Sequence, residues 1–425
     1  MIQISFLGAM ATVGASGVLV DTGSEKMVLD YGTKIQSEGR RDKLPPQYPL
    51  PVNGKVDAVF LSHCHLDHSG GVPILFKNNN CPAYAVDVAK PMAEMLLNDS
   101  LKVSKQEGHM LPFSKNDVKK TLNSMRSVRY REPIRVHNST VTNFDAGHIP
   151  GSMMTLIESQ KKRVMYTGDF NNNDTRLIKG ADMKLPHLDA LITECTYSDR
   201  EHGDRKREEK NLANLVDHTV SNEGVAVIPC FAVGRSQEIL LILDKFGIDY
   251  SLYMDGMTKM ATTYINKYNN RLNNPKALDK ALQNVKYVSS QNERKRIVKQ
   301  PCVIITTSGM LTGGPVAWYI KDLHDNRDCT LILTGYQVEG TPGRELMETG
   351  RYVAEGVNMD LKMMVQRLDF SSHIGRSHLI DFIEKNNPGK VFCVHGDHTE
   401  EFARELREKG FDAHAPVANN RFFQV

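Results

Sequence analysis

Six consecutive residues, His63-Cys64-His65-Leu66-Asp67-His68, place three imidazoles and a carboxylate directly after an apolar run that ends at Phe60-Leu61. With 15 histidines in the chain, chance assembles such a match on the order of once in a thousand chains, so this stretch constrains the fold more than any other. Residues two apart in extended backbone point to the same side, and His63 and His65 can therefore share one cation. Asp67 and His68 turn the corner and can reach a second cation, at the ~3.5 to 4 Å separation of paired metal sites. Gly70 and Gly71 let the backbone turn sharply as a helix begins.

A metal pair needs more ligands than these four. Candidates in similar strand-end settings follow in order along the chain: Asp145-Ala146-Gly147-His148, Tyr166-Thr167-Gly168-Asp169, Phe370-Ser371-Ser372-His373 and Val394-His395-Gly396. Each alone reads more simply as structure, because a strand-end histidine usually packs and an aspartate beside glycine usually turns the chain. Together, behind the 63–68 motif, they make a metal centre the better reading.

The N-terminal third predicts short strands at residues 2–7, 17–21, 26–30 and 56–62, where apolar residues alternate between glycine-bounded turns. Helical periodicity follows over about 88–97 and 116–125. From about residue 199 an apolar run repeatedly meets a glycine-containing turn and then an amphipathic helix, over 224–246, 250–268, 302–323 and 330–349. That succession predicts a parallel sheet with ligands at the carboxyl ends of its strands. None of the turns ends as a Walker A loop does. Short strands return after about residue 360. The expected organisation is an α/β chain with one domain formed by 1–198 and 361–425 and a second, 199–360, inserted into it.

A net charge of +3 excludes a polycation that coats nucleic acid indiscriminately. Between Lys102 and Arg131, however, eight basic residues meet only two acidic ones. The stretch is either a solvated face or a phosphate track. The chain has no run near the ~18 apolar residues of a membrane span. Seven cysteines, an odd number without a Cys-x-x-Cys pair, predict a reduced, cytoplasmic setting and no membrane association.

Several motifs carry a family resemblance: Leu29-Asp30-Tyr31-Gly32, the 63–68 motif, Gly147-His148, Thr167-Gly168-Asp169, Thr193-Glu194-Cys195-Thr196, Ser371-Ser372-His373 and Val394-His395-Gly396. The turns Phe231-Ala232-Val233-Gly234-Arg235 and 308–314 add to it. Over essentially its whole length the chain resembles the β-CASP branch of the metallo-β-lactamase superfamily. Within that branch it is similar to the archaeal and eukaryotic cleavage and polyadenylation specificity factor nucleases, in the form without RNA-binding KH domains ahead of the core. The resemblance implies a metallo-β-lactamase αββα sandwich with an inserted β-CASP domain whose mainly parallel sheet is flanked by helices. It also implies two zinc ions, one held by His63, His65, His148 and Asp169, the other by Asp67, His68, His395 and the same Asp169. Imidazole and carboxylate donors suit manganese as well. Asp30 would orient a ligand histidine from outside the ligand set, and Cys64 would be structural.

The implied reaction is hydrolysis of RNA phosphodiester bonds by a water activated between two metals. Asp67, His373 and Glu194 form the implied catalytic set, with His373 as general acid beside the leaving group and Glu194 hydrogen-bonded to it. Helix amino ends offer phosphate contacts, which makes Ser372, Arg235, Ser308 and Gly309 candidate substrate-binding residues. Histidine at position 395 matches the family's RNA-cleaving members, whereas DNA-processing members carry valine there. The expected substrate is single-stranded RNA, cut endonucleolytically in RNA processing or 3′-end formation. A 5′-to-3′ exoribonuclease of ribonuclease J type is the alternative. A small-molecule hydrolase leaves the insertion without a task, and a non-catalytic scaffold would have lost ligands that are all present here. The apolar end, residues 421–425, fits either a homodimer contact or a final strand docked on the chain's own sheet.

Overall fold

In the computed structural model, residues 1–35, 44–354 and 356–425 are described. Two seven-stranded sheets pack face to face. The first runs Phe422–Gln424, Gln3–Phe6, Gly17–Asp21, Lys26–Tyr31, Ala58–Phe60, Ala83–Val86, Met125–Val128 in spatial order; the second runs Ala413–His414, Val391–Val394, Ala190–Glu194, Lys162–Tyr166, Met153–Ser159, Ser139–Asp145, Pro133–Val136.

The period-two alternation of strand side chains divides the second sheet's apolar residues between two cores. Val164, Ile192, Phe392 and Val394 face the core shared with the first sheet, where the Phe6 and Phe392 rings lie 5.3 Å apart. Met165, Leu191, Val391 and Cys393 face outward beneath helices Arg376–Asn386 and Thr399–Glu408, packing with Phe382, Phe402 and Leu406. Each large apolar side chain so enclosed contributes roughly 1.5–3 kcal/mol. On the other side, helix Ala89–Gln106 lays Met92, Ala93, Leu96 and Leu97 on the first sheet. Helix Lys115–Ser124 adds Val118 and Leu122, and starts at a reciprocal cap between Ser114 and Asp117. The result is the αββα sandwich expected from the sequence.

The insertion is a six-stranded sheet in the order Val285–Tyr287, Leu252–Met254, Cys302–Thr306, Val225–Pro229, Thr330–Leu333, Met364–Arg367, parallel throughout. Each of the four strand–turn–helix units read from the sequence is present, with helices Arg235–Lys245, Thr258–Lys267, Pro315–Leu323 and Pro342–Thr349. Because Met364–Arg367 pairs with Thr330–Leu333, this sheet continues past residue 360. The chain leaves the sandwich after Ala190–Glu194 and returns as Val391–Val394, its parallel neighbour, with Glu194 opposite Val394. The C-terminal strand pairs antiparallel with Gln3–Phe6, and Phe423 packs against Phe6 and Phe392. Of the two readings of the apolar end, the docked strand is the one found. All seven cysteines are buried and free. Among the described residues no helix is long and apolar enough to cross a membrane.

Candidate metal centre

The carboxyl ends of strands from both sheets meet at one edge of the sandwich. Ala58–Phe60 leads into His63, Ser139–Asp145 into His148, Lys162–Tyr166 into Asp169 and Val391–Val394 into His395. Close backbone approach makes this convergence possible. A Cβ on Gly32 would lie 1.7 Å from the Asp67 carbonyl oxygen, so only glycine lets the strand carrying Asp30 pass beneath the ligand turn.

The ligand atoms fall into two groups. In the first, His65 Nδ1 lies 3.1 Å from His63 Nε2 and 3.3 Å from His148 Nε2. Asp169 Oδ2 stands 3.6 Å from His63 Nε2 and 3.8 Å from His148 Nε2. In the second, Asp169 Oδ1 lies 3.2 Å from His68 Nε2 and 3.4 Å from His395 Nδ1, and Asp67 Oδ2 lies 3.5 Å from His395 Nε2. Asp169 thus turns one oxygen to each group, the arrangement of a bridging carboxylate. The three imidazoles of the first group lie within 4.8 Å of one another, as do all four donors of the second. Asp169 Oδ1 and His395 Nε2 are buried without a hydrogen-bond partner. Buried polar atoms are normally satisfied, so such orphans at one spot fit cations that the nitrogen- and oxygen-rich donor set would hold.

Burial, followed by the neighbouring imidazoles, pushes the pKa of His63 and His148 well below the ordinary histidine value, leaving neutral rings able to donate a lone pair. Burial acts the same way on His68 but is outweighed by Asp169, Asp30 and Asp67, which raise it. Asp169 is held well below the usual carboxylate range, because His68, His395 and His373 outweigh its burial.

Asp30, the carboxylate expected outside the ligand set, lies against His68. Its Oδ2 lies 2.7 Å from His68 Nδ1 and accepts from Ser62 Oγ at 2.6 Å and Tyr166 Oη at 2.8 Å, while Oδ1 accepts from the Ser62 amide at 2.7 Å. His148 Nδ1 is held by the Ser372 carbonyl at 2.8 Å. Cys64 points away from the ligands, its sulfur 3.9 Å from Met92 Sδ.

His373 stands beside the first group, a ring nitrogen within 4.8 Å of His148 and Asp169 donor atoms. Its Nδ1 lies 3.0 and 2.9 Å from the two Glu194 oxygens. Glu194 is itself fixed by the Phe170 amide at 2.8 Å. Burial alone would lower the His373 pKa, but Glu194 and Asp169 outweigh it and raise it to about 9.

The candidate substrate residues are less uniformly placed. Arg235 is buried, its Nε has no partner and its Nη2 reaches Ser372 Oγ at 3.5 Å. Ser308 Oγ is 3.0 Å from Thr312 Oγ1, and Gly309 lies against the backbone of Cys230 and Phe231. The eight basic residues of 102–131 are all exposed, and Lys120, Arg129 and Arg131 are paired with Asp117, Glu132 and Asp182.

One residue escaped the sequence reading. His202 Nδ1 lies 2.9 Å from Asp369 Oδ2, and its Nε2 lies 3.0 Å from the His373 carbonyl oxygen. The imidazole thereby ties the backbone of His373 to a carboxylate 167 positions from it in sequence. Nothing in its local sequence marks it. Asp369, which burial would push up, is held down to about 2 by His202, the Ser371 amide and Arg235. A depressed carboxylate stabilises the fold fully above its unfolded value of about 4, and that contribution is lost as pH falls from about 4 to about 2. Asp369→Asn is expected to cost roughly 2–3 kcal/mol at pH 7. In thermal melts of metal-free protein the gap to wild type should shrink as pH is lowered through 4; an equal gap at pH 7 and 3 would contradict the assignment.

Three family models match the chain: a Beta-Casp domain at residues 236–346, a metallo-beta-lactamase superfamily domain at 17–193, and a Zn-dependent metallo-hydrolase RNA specificity domain at 358–416. Among similar proteins, Probable RNase MJ4 of Methanocaldococcus jannaschii is 37% identical over 97% of this chain and 98% of its own length. RNase aCSPSF2 of Saccharolobus solfataricus is 34% identical over 92% of this chain and 79% of its own. Transcription termination factor FttA of Methanosarcina mazei is 33% identical over 93% and 67%. A crystal structure of an Enterococcus faecalis protein of unknown function shares the fold, with a TM-score of 0.61 at 15% identity over the full length of both chains.

Proposed function

The chain belongs to the metallo-β-lactamase superfamily and, within it, to the members that carry a Beta-Casp domain, and from that premise we propose that it is a metal-dependent ribonuclease cutting single-stranded RNA internally. The observation that carries this reading is the pair of donor groups sharing Asp169, one oxygen to each. His63, His65, His148 and Asp169 would hold one divalent cation, and Asp67, His68, His395 and Asp169 the other, with zinc a metal that imidazole and carboxylate donors suit. When bound, the two cations supply Lewis acidity and neutralise charge on the phosphate.

The protein's own groups do the rest. Glu194 accepts from Nδ1 of His373 and fixes the ring, which leaves Nε2 as the atom that hands a proton to the departing oxygen. His202 and Asp369 hold the backbone of that ring in place. Ser372 joins the two sides of the site, its carbonyl on His148 and its hydroxyl facing Arg235. A buried guanidinium with no carboxylate within ion-pair reach among the described residues is suited to an anionic phosphate from the strand. Names of relatives that contain RNase or transcription termination agree with cleavage within a transcript.

Incubation of the purified protein with one RNA labelled at either end tests the reading. Internal fragments should form with zinc or manganese, be abolished by chelator, and be indifferent to whether the 5′ end carries triphosphate, monophosphate or hydroxyl. Release of single nucleotides only from the monophosphate form would replace it with the exonuclease alternative. Cleavage that persists in chelator would end the metal mechanism.

A further inference from the structure

The turn 231–235 buries every neighbour of Phe231 and leaves Phe231 itself out. Cys230, Ala232 and Val233 are 0, 7 and 2% exposed, whereas Phe231 is 40% exposed. The turn is also held tightly. A Cβ on Gly234 would meet Ile149 Cγ2 at 2.7 Å, and one on Gly309 would meet the Cys230 and Phe231 backbone at 3.0 Å. Phe231 therefore rests between the His148 loop on one side and the 308–314 turn on the other, and its exposure is not the exposure of a loose loop. Its ring lies 6.1 Å from the ring of His65, tilted by 42°. A large apolar side chain fixed in solvent forgoes burial that folding normally rewards. Here it does so beside His65, a member of the first donor group.

We propose that Phe231 is a stacking platform for one nucleobase of the strand being cut, seated next to the phosphate at the metal centre. The inference rests on the ribonuclease reading and deepens it by assigning a base subsite. Every base has a π-face, so stacking on an aromatic ring holds a single strand without reading its sequence. A base-paired strand keeps its faces covered and cannot use such a platform, which gives the site a reason to prefer unpaired RNA. The ring contacts run from Phe231 to His65, His148 and then His373, so the platform meets the cluster at a different ring from the one proposed to deliver the proton.

The test uses full-length protein loaded with metal and carrying His373→Ala, so that the strand persists, and a single-stranded RNA with 2-aminopurine moved one position at a time across the cleavage site. The expected result is fluorescence quenching at one position, lost in Phe231→Ala and restored in Phe231→Trp. Binding should weaken by roughly 5- to 100-fold in Phe231→Ala. An abasic nucleotide at the quenched position should weaken wild-type binding by a similar factor and have no further effect on Phe231→Ala. If Phe231→Ala binds and cuts as wild type does, or the abasic penalty persists in it, the platform is overturned while the ribonuclease reading stands. If the unaltered protein neither binds nor cuts RNA, both fall together. Quenching that survives in Phe231→Ala also overturns the assignment.

Discussion

Asp169→Asn is expected to remove most of the bound metal and to slow RNA cleavage by roughly 10³-fold or more, the equivalent of several kcal/mol of barrier. The reason is geometric. Each Asp169 oxygen faces a different donor group, and Asp169 itself is buried. Asparagine keeps the size of the side chain but must turn an N–H₂ toward one group or the other, presenting a donor where a cation needs a lone pair. It also removes the negative charge that interacts most strongly with His68, His395 and His373. Elemental analysis should fall from two metals per chain to one or fewer, in step with activity. A variant that retains both metals and the native rate would show that Asp169 is not the shared ligand.

His373→Ala is expected to separate catalysis from metal binding. Cleavage should slow by roughly 10²- to 10⁴-fold, the usual worth of a positioned proton donor, while metal content stays near wild type. The structure gives the grounds: His373 Nδ1 is committed to Glu194, and the two donor groups that share Asp169 have four members each without this ring. A substrate with a better leaving group at the cut bond should recover most of the loss, since it needs the proton less. Loss of metal together with the side chain would make His373 a ligand and remove the acid from the mechanism.

Legibility from sequence varied with the distance over which residues cooperate. His63, His65, Asp67 and His68 could be read as ligands because their spacing alone fixes which way they point once a strand precedes them. The four strand–turn–helix units of the insertion were readable for the same reason: each is a local alternation of apolar run, glycine turn and amphipathic helix. The end of that sheet was not. Met364–Arg367 is a short strand whose exposed residues give no clear alternation, and only its pairing with Thr330–Leu333 assigns it to the insertion. His148, Asp169 and His395 were visible as candidates, but their joint reading leaned on family resemblance. Each alone looks like an ordinary strand-end residue.

What the chain's order of residues determined by itself was therefore the chemistry on offer: a cluster of metal donors, a series of short strands and a parallel insertion, all written in patterns a few residues long. What the tertiary structure alone decided was the division of that chemistry. Asp169 serves two groups, Asp30 grips His68 rather than another histidine, His202 reaches across to Asp369 and the His373 backbone, and Phe231 is left facing solvent beside His65. These relations join segments that meet only because parallel strands from distant parts of the chain end at one edge, and local spacing carries no record of which strand ends become neighbours there.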